Sequence, residues 1–127
     1  YPPKSFDFVI LSQTLQATYS PEKVLNQLVR ISKHAIVSFP NFGSWLIRLK
    51  LLINGVMPLS NSLPHTWYTT PNIHLCTIKD FKKLCEKNSI KIEQSYYLNK
   101  NGKQINNPFN KLFNNFFSTS GLFVLKK

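Results

Sequence analysis

The side chains of this sequence that could do chemistry fall in three short stretches. The first is Ser12, Gln13 and Thr14, directly after the apolar run "FDFVIL", residues 6–11. In open α/β sheets ligands lie just outside the carboxyl ends of the strands, so two hydroxyls and an amide at such an end are placed for contact. The second is Asn41 and Phe42, after "AIVSFP", residues 35–40. The third is the loop "PHTWYTTPNIH", residues 64–74, which offers Trp67, Tyr68, Asn72 and His74. Aromatic walls with a few polar groups suit a small molecule. His74 is the candidate base, because imidazole ordinarily titrates near neutral pH. Each stretch also has a plainer reading. Ser12 and Thr14 could cap backbone groups, Asn41 could serve the turn beside Pro40, and the aromatic pair could pack as a lid. Neither a carboxylate pair nor a Ser-His-Asp order emerges, since most of the acids sit at expected helix ends or turns.

These stretches must be held by regular elements. "FDFVIL" is apolar after Asp7, as a strand buried on both faces in the middle of a parallel sheet would be. "YSPEKVLNQLVRISK", residues 19–33, reads as a helix: Ser20 is an N-cap and Pro21 fits the first position. Glu22 early and Arg30 late suit the helix dipole, and Val24, Leu25, Leu28, Val29 and Ile31 give an apolar face. Ala35 to Phe39 is the next strand, completing a βαβ unit. Residues 44–57 form a helix that is apolar nearly all round, interrupted by Arg48 and Lys50. It is expected to pack over the mouth of the sheet rather than lie on a membrane. Thr77 and Asp80 make a capping-box-like start for a helix ending near Asn88. "IKIEQSYYL", residues 90–98, alternates with Ile90, Ile92, Tyr96 and Leu98 on one face. Asn101-Gly102 signals a turn, a weak helix is expected around Phe109–Phe117, and "LFVL", residues 122–125, is a last strand. The expected architecture is an open, mostly parallel α/β sheet ending in an antiparallel pair.

Composition narrows the partners. The 127 residues have room for one domain, and 16 Lys+Arg face 5 Asp+Glu for a formal charge of +11. The excess is mostly Lys, spread along the chain without an Arg/Lys-aromatic cluster, so a nucleic-acid-binding module is the least favoured class. Cys76 and Cys85 lack metal-ligand spacing, and no metal site is expected. No apolar run reaches transmembrane length and no signal peptide is visible, so the default expectation is a cytoplasmic protein without membrane attachment.

"FDFVILSQTLQ", "PEKVL", "AIVSFPNFGSW" and "LPHTWYTTPNIHLCTIKDF" together resemble the methionine-biosynthesis protein MetW family, over most of residues 5–98. The resemblance implies a Rossmann-like class I S-adenosylmethionine-dependent methyltransferase fold in which "FDFVIL" is the fourth strand. Residues 1–127 would then be the C-terminal half, strands four to seven. The family's glycine-rich loop and the acidic residue after its second strand have no counterpart here: Gly43, Gly55, Gly102 and Gly121 are scattered. That loop and that acid hold the cofactor's amino-acid end and ribose. Ser12, Gln13 and Thr14 would form only one wall of the S-adenosylmethionine site. Asn41, Phe42, Trp67, Tyr68 and Asn72 would lie toward the acceptor. This stretch alone is expected to bind the cofactor poorly, to be inactive and to expose an aggregation-prone strand edge. The resemblance implies action with a homoserine O-acyltransferase as an accessory or regulatory subunit. Methyl transfer to a small-molecule acceptor is the alternative.

Overall fold

The computed structural model describes residues 1–105 and 110–127, the side chains of 110–112 aside. The elements are β1 (Phe6–Ser12), α1 (Pro21–Ile31), β2 (Ser32–Pro40), α2 (Trp45–Asn54), α3 (Ile78–Lys87), β3 (Lys91–Leu98), α4 (Asn110–Phe117) and β4 (Ser120–Lys126). A short 3-10 turn, Leu15–Ala17, links β1 to α1. The sheet has four strands in the order β1-β2-β4-β3. β1 and β2 are parallel, whereas β4 runs antiparallel to both β2 and β3. The last strand is thus inserted between its predecessors. The weak helix expected at Phe109 is present from Asn110 to Phe117; Phe109 itself lies outside the described residues.

The core forms on one sheet face. Leu25 and Val29 of α1 and Ile78, Phe81 and Cys85 of α3 cover Ala35, Val37 and Phe39 of β2 and Phe123 and Leu125 of β4. Phe39, Phe81 and Phe123 meet pairwise, with ring centroids 4.8–5.7 Å apart. Such contacts add about 1 kcal/mol each beyond area burial. The apolar stripes of α1 and α3 are what bind them here, since most helical stability in proteins comes from packing one face.

Local signals explain the ends of the helices. Thr77 Oγ1 accepts from the Asp80 N–H at 3.1 Å and donates to Asp80 Oδ2 at 2.6 Å. The expected box is therefore closed by the hydroxyl, not by the carboxylate reaching back to the Thr77 N–H. α2 ends at Gly55 with φ 63°, whose N–H bonds the Leu51 carbonyl at 2.9 Å. A residue with a Cβ would be strained in that left-handed cap.

Three expectations need correction. β1 is not covered on both faces: it lies at the edge of the sheet, the exposed edge that the resemblance implies, and only its Val9/Leu11 side is partly covered. Phe8 and Ile10 are 61% and 67% exposed, because they point to the sheet face opposite the core under α1 and α3. Likewise α2 does not pack its length over the sheet. Ile47 is its one buried side chain among the described residues, while Leu52 and Ile53 are exposed. Finally, strict alternation in β3 fails at a bulge between Ile92 and Gln94. A bulge adds one residue and switches the face that follows. Ile92 and Tyr97 pack on the core, and Tyr96 pairs with Leu122 on the other face.

The aromatic cluster carries a first prediction. Phe123→Ala should cost about 3–5 kcal/mol, as truncation of a buried Phe does, measured by urea unfolding. Lys33→Ala, which breaks only the exposed 2.7 Å pair with Asp7, should leave the midpoint unchanged. A second concerns pH. Burial raises the Cys85 and Cys76 thiols from 9.0 to about 12, with the Asp80 charge adding to the effect on Cys76. A group held protonated by the fold stabilises it fully below pH 9.0 and loses that contribution as pH rises toward 12. Stability should fall across that window, and less steeply in a Cys76→Ala/Cys85→Ala double variant.

Candidate functional site

The carboxyl ends of β1 and β2 lie side by side, with Ser12 opposite Ser38, and the chain that leaves β2 is organised by Asn41. Asn41 is fully buried. Its Nδ2 donates to the Asn115 and Ser118 carbonyls, both at 2.8 Å. Its Oδ1 accepts from the N–H groups of Gly43 at 3.0 Å and Ile78 at 3.2 Å. An amide has two N–H donors and two lone pairs, so this one is saturated within the protein. Asn41 therefore cannot be a substrate contact, as its position after β2 had suggested. It fixes the start of α3 and the end of α4 against the end of β2. Gly43 is needed beside it, because a Cβ there would sit 3.0 Å from Asn115 Oδ1 and 3.2 Å from Asn41 Oδ1.

Ser12, Gln13 and Thr14 are exposed at the end of β1. Gln13 adopts φ 50°, a left-handed conformation uncommon for a residue with a side chain. Its N–H donates to the Ser38 carbonyl at 3.0 Å, and Ser38 Oγ donates to Ser12 Oγ at 3.4 Å. Thr14 Oγ1 turns back to the Ser12 carbonyl at 2.6 Å. The three residues form a compact turn whose Ser12 and Gln13 side chains meet Ser38 on β2, while the Thr14 hydroxyl is engaged locally.

The aromatic loop divides. Trp67 and Tyr68 stand edge to face, centroids 5.6 Å apart, and both are more than 70% exposed. Trp67, Phe42 and Asn72 border one shallow cleft of about 40 Å³; Tyr68 does not line it. Phe42, Asn72 and His74 converge around Gln16. The loop is pinned there, because the Gln16 carbonyl accepts from the N–H groups of Ile73 at 3.0 Å and His74 at 2.9 Å. Gln16 Nε2 also bonds the Gln13 carbonyl at 2.9 Å and Asn72 Oδ1 at 3.2 Å. Neither Gln16 nor Ser38 stands out in the sequence. The one available signal is a polar residue directly after Leu15, where the chain leaves the sheet. No group of three or more His, Cys, Asp or Glu residues that could hold a metal occurs among the described residues, and no helix there is long and apolar enough to cross a membrane.

A mixed four-strand sheet with helices packed on one face is an α/β fold, and its likeness to a solved protein makes that fold methyltransferase-like. A solved S-adenosylmethionine-dependent methyltransferase of Thermotoga maritima, described as a possible histamine N-methyltransferase, superposes with a TM-score of 0.58 at 17% identity. The match covers 98% of this chain and 57% of that one. The model of the methionine biosynthesis protein MetW family matches residues 1–125, and the chain belongs to that family. A bifunctional methionine biosynthesis protein MetXA/MetW of Rhodopirellula baltica is 34% identical over 93 residues, 72% of this chain. The chain spans about 15% of that curated relative's length.

Asn41→Ala leaves two buried N–H groups and two carbonyls without partners and should cost about 3 kcal/mol or more. Thr77→Ala removes a single cap and should cost about 1 kcal/mol. Chemical denaturation of the two variants checks the order, and equal losses would show that Asn41 is not the organiser.

Proposed function

We propose that this chain serves methionine biosynthesis as the methyltransferase-like part of an accessory or regulatory subunit that acts with homoserine O-acyltransferase in the cytoplasm. The observation that carries the proposal is the joined MetXA/MetW relative, in which a MetW part shares one polypeptide with a second activity. Two parts kept on one chain meet at high effective concentration without any new contact.

Within this reading the four strands are the fourth to seventh of a larger sheet. Three features support that numbering. The final strand is inserted antiparallel. β1 is an edge strand whose outer side pairs with no strand among the described residues. The Thermotoga maritima protein extends well beyond the matched region. Ser12 and Gln13 would then contribute one wall of an S-adenosylmethionine site, offering a hydroxyl and an amide to the cofactor. The groups that grip its amino-acid end and ribose would come from a preceding glycine-rich loop and acidic residue. The cofactor, when bound, supplies an electrophilic methyl group. Trp67 and Phe42 would flank the acceptor side, with His74 as a candidate base. The competing reading is turnover: methyl transfer to a small acceptor by the intact protein.

One experiment separates the two. The intact protein should co-purify with homoserine O-acyltransferase and bind S-adenosylmethionine saturably in calorimetry, with no methylated product formed from cell metabolites. Saturable cofactor binding with product formation and no co-purification would overturn the accessory reading in favour of the enzyme.

A further inference from the structure

A cavity of about 310 Å³ opens between the 3-10 turn, the start of α1 and the first turns of α3, sharing Gln16, His74, Leu75 and Cys76 with the cleft around Gln16. Leu15, Phe39, Phe81 and Leu84 make its apolar wall, and Gln16, His74 and Asp80 bring polar groups to it. None of the residues suggested for cofactor or acceptor contact lines it except His74. A dry apolar cavity of roughly 150 Å³ takes benzene. This one therefore has room for one ring and a short chain, about eight to twelve non-hydrogen atoms.

The polar lining says what the ligand's head must be. The chain carries 16 Lys+Arg and only 5 Asp+Glu, yet the described lining contains Asp80 and neither Lys nor Arg. Asp80 is held in place by the Thr77 hydroxyl on its Oδ2. Beside it the cavity wall holds a second acceptor. Gln16 is 5% exposed, and its Oε1 has no hydrogen-bond partner among the described residues. The Nε2 bond to the Gln13 carbonyl fixes which way that amide faces. An orphaned buried acceptor costs about 1–3 kcal/mol, and a donor recovers it. That oxygen is covered as the wall stands, and Nε2 holds the amide through the Gln13 carbonyl and Asn72 Oδ1, so the head group's contact is Asp80. The Cys76 thiol, raised to about 12 mainly by burial, stays neutral, so the negative charge of the lining rests on Asp80.

We propose that this cavity is a binding site for a small amine with a compact apolar body, its ammonium at Asp80 and its body against Leu15, Phe81 and Leu84. The groups named for the amine, Asp80, Leu15, Phe81 and Leu84, include none of the residues suggested for cofactor or acceptor contact.

The test is amide-resolved NMR titration of the intact protein with 2-phenylethylamine and, separately, phenylacetate. The two probes share a ring and differ in the sign of the head group. Bulk electrostatics on a chain of +11 favours the anion; the cavity favours the amine. The amine should shift Gln16, Leu75 and Leu84 saturably with a Kd on the order of 1 mM, at least about threefold tighter than phenylacetate. Asp80→Asn keeps an acceptor for Thr77 and should weaken the amine about two- to fivefold without weakening phenylacetate. Leu84→Trp should fill the cavity and abolish both sets of shifts while amides of β2 and β4 stay unchanged, which shows that the fold persists. Equal or tighter binding of phenylacetate, shifts mapping elsewhere, an unaltered amine affinity in Asp80→Asn, or no saturable shift by about 20 mM amine would each overturn the proposal.

Discussion

The saturated amide of Asn41 is the constraint on which the rest of the structure depends. It bonds a glycine turn two residues on, the first N–H of α3, and two carbonyls at the end of α4. Those segments are otherwise joined by long, irregular connections. A buried amide with every valence met is stiff, because any movement of one partner leaves another unsatisfied at a cost of about 1–3 kcal/mol. The hub thereby sets where α3 begins. The start of α3 in turn positions Phe81 over Phe39 and Phe123 and places Asp80 at the cavity mouth. Polar and apolar order are coupled at this point: the aromatic core fixes the face of α3, and Asn41 fixes its height along the sheet.

The sheet's two faces differ in consequence. One is sealed by α1 and α3. On the other, Phe8, Ile10, His34, Ile36, Leu122 and Val124 follow one another in strand register, and none of them is buried. Singly exposed apolar residues are ordinary, but a contiguous set on a strand-paired surface is a site for something to cover. The free edge of β1 suits a further strand, whereas the bare face is of the kind that helices cover in α/β sheets.

Much of the fold was legible because its signals are local. Pro21, Thr77-x-x-Asp80 and the apolar periods of α1 and α3 mark their elements within a few residues, although the Ser20 side chain makes no capping bond. The quoted stretches around "SFPNFG" and "WYTTPNIHLCT" carried the family on residue identity, not on pattern. What was not legible depends on partners far along the chain. Asn41 looks like a turn residue beside Pro40 until its bonds to residues 74 and 77 positions later are seen. Gln16 is unremarkable without Asn72, 56 positions away. An apolar strand such as "FDFVIL" reveals that it wants covering on both faces, but not which segment supplies the cover. The bulge in β3 leaves no trace in an alternating pattern, since "EQS" suits either register.

The proposed strand numbering makes β1, an edge strand here, an interior strand of a larger sheet in the intact protein. Hydrogen exchange of the intact protein, followed residue by residue, measures this. Amides on both sides of β1 should be protected to the level of β2, which lies between two strands. If the outward amides of β1 instead exchange as fast as those of the exposed turn at Lys100–Lys103, β1 is a true edge. The larger methyltransferase-like sheet would then be wrong for this protein.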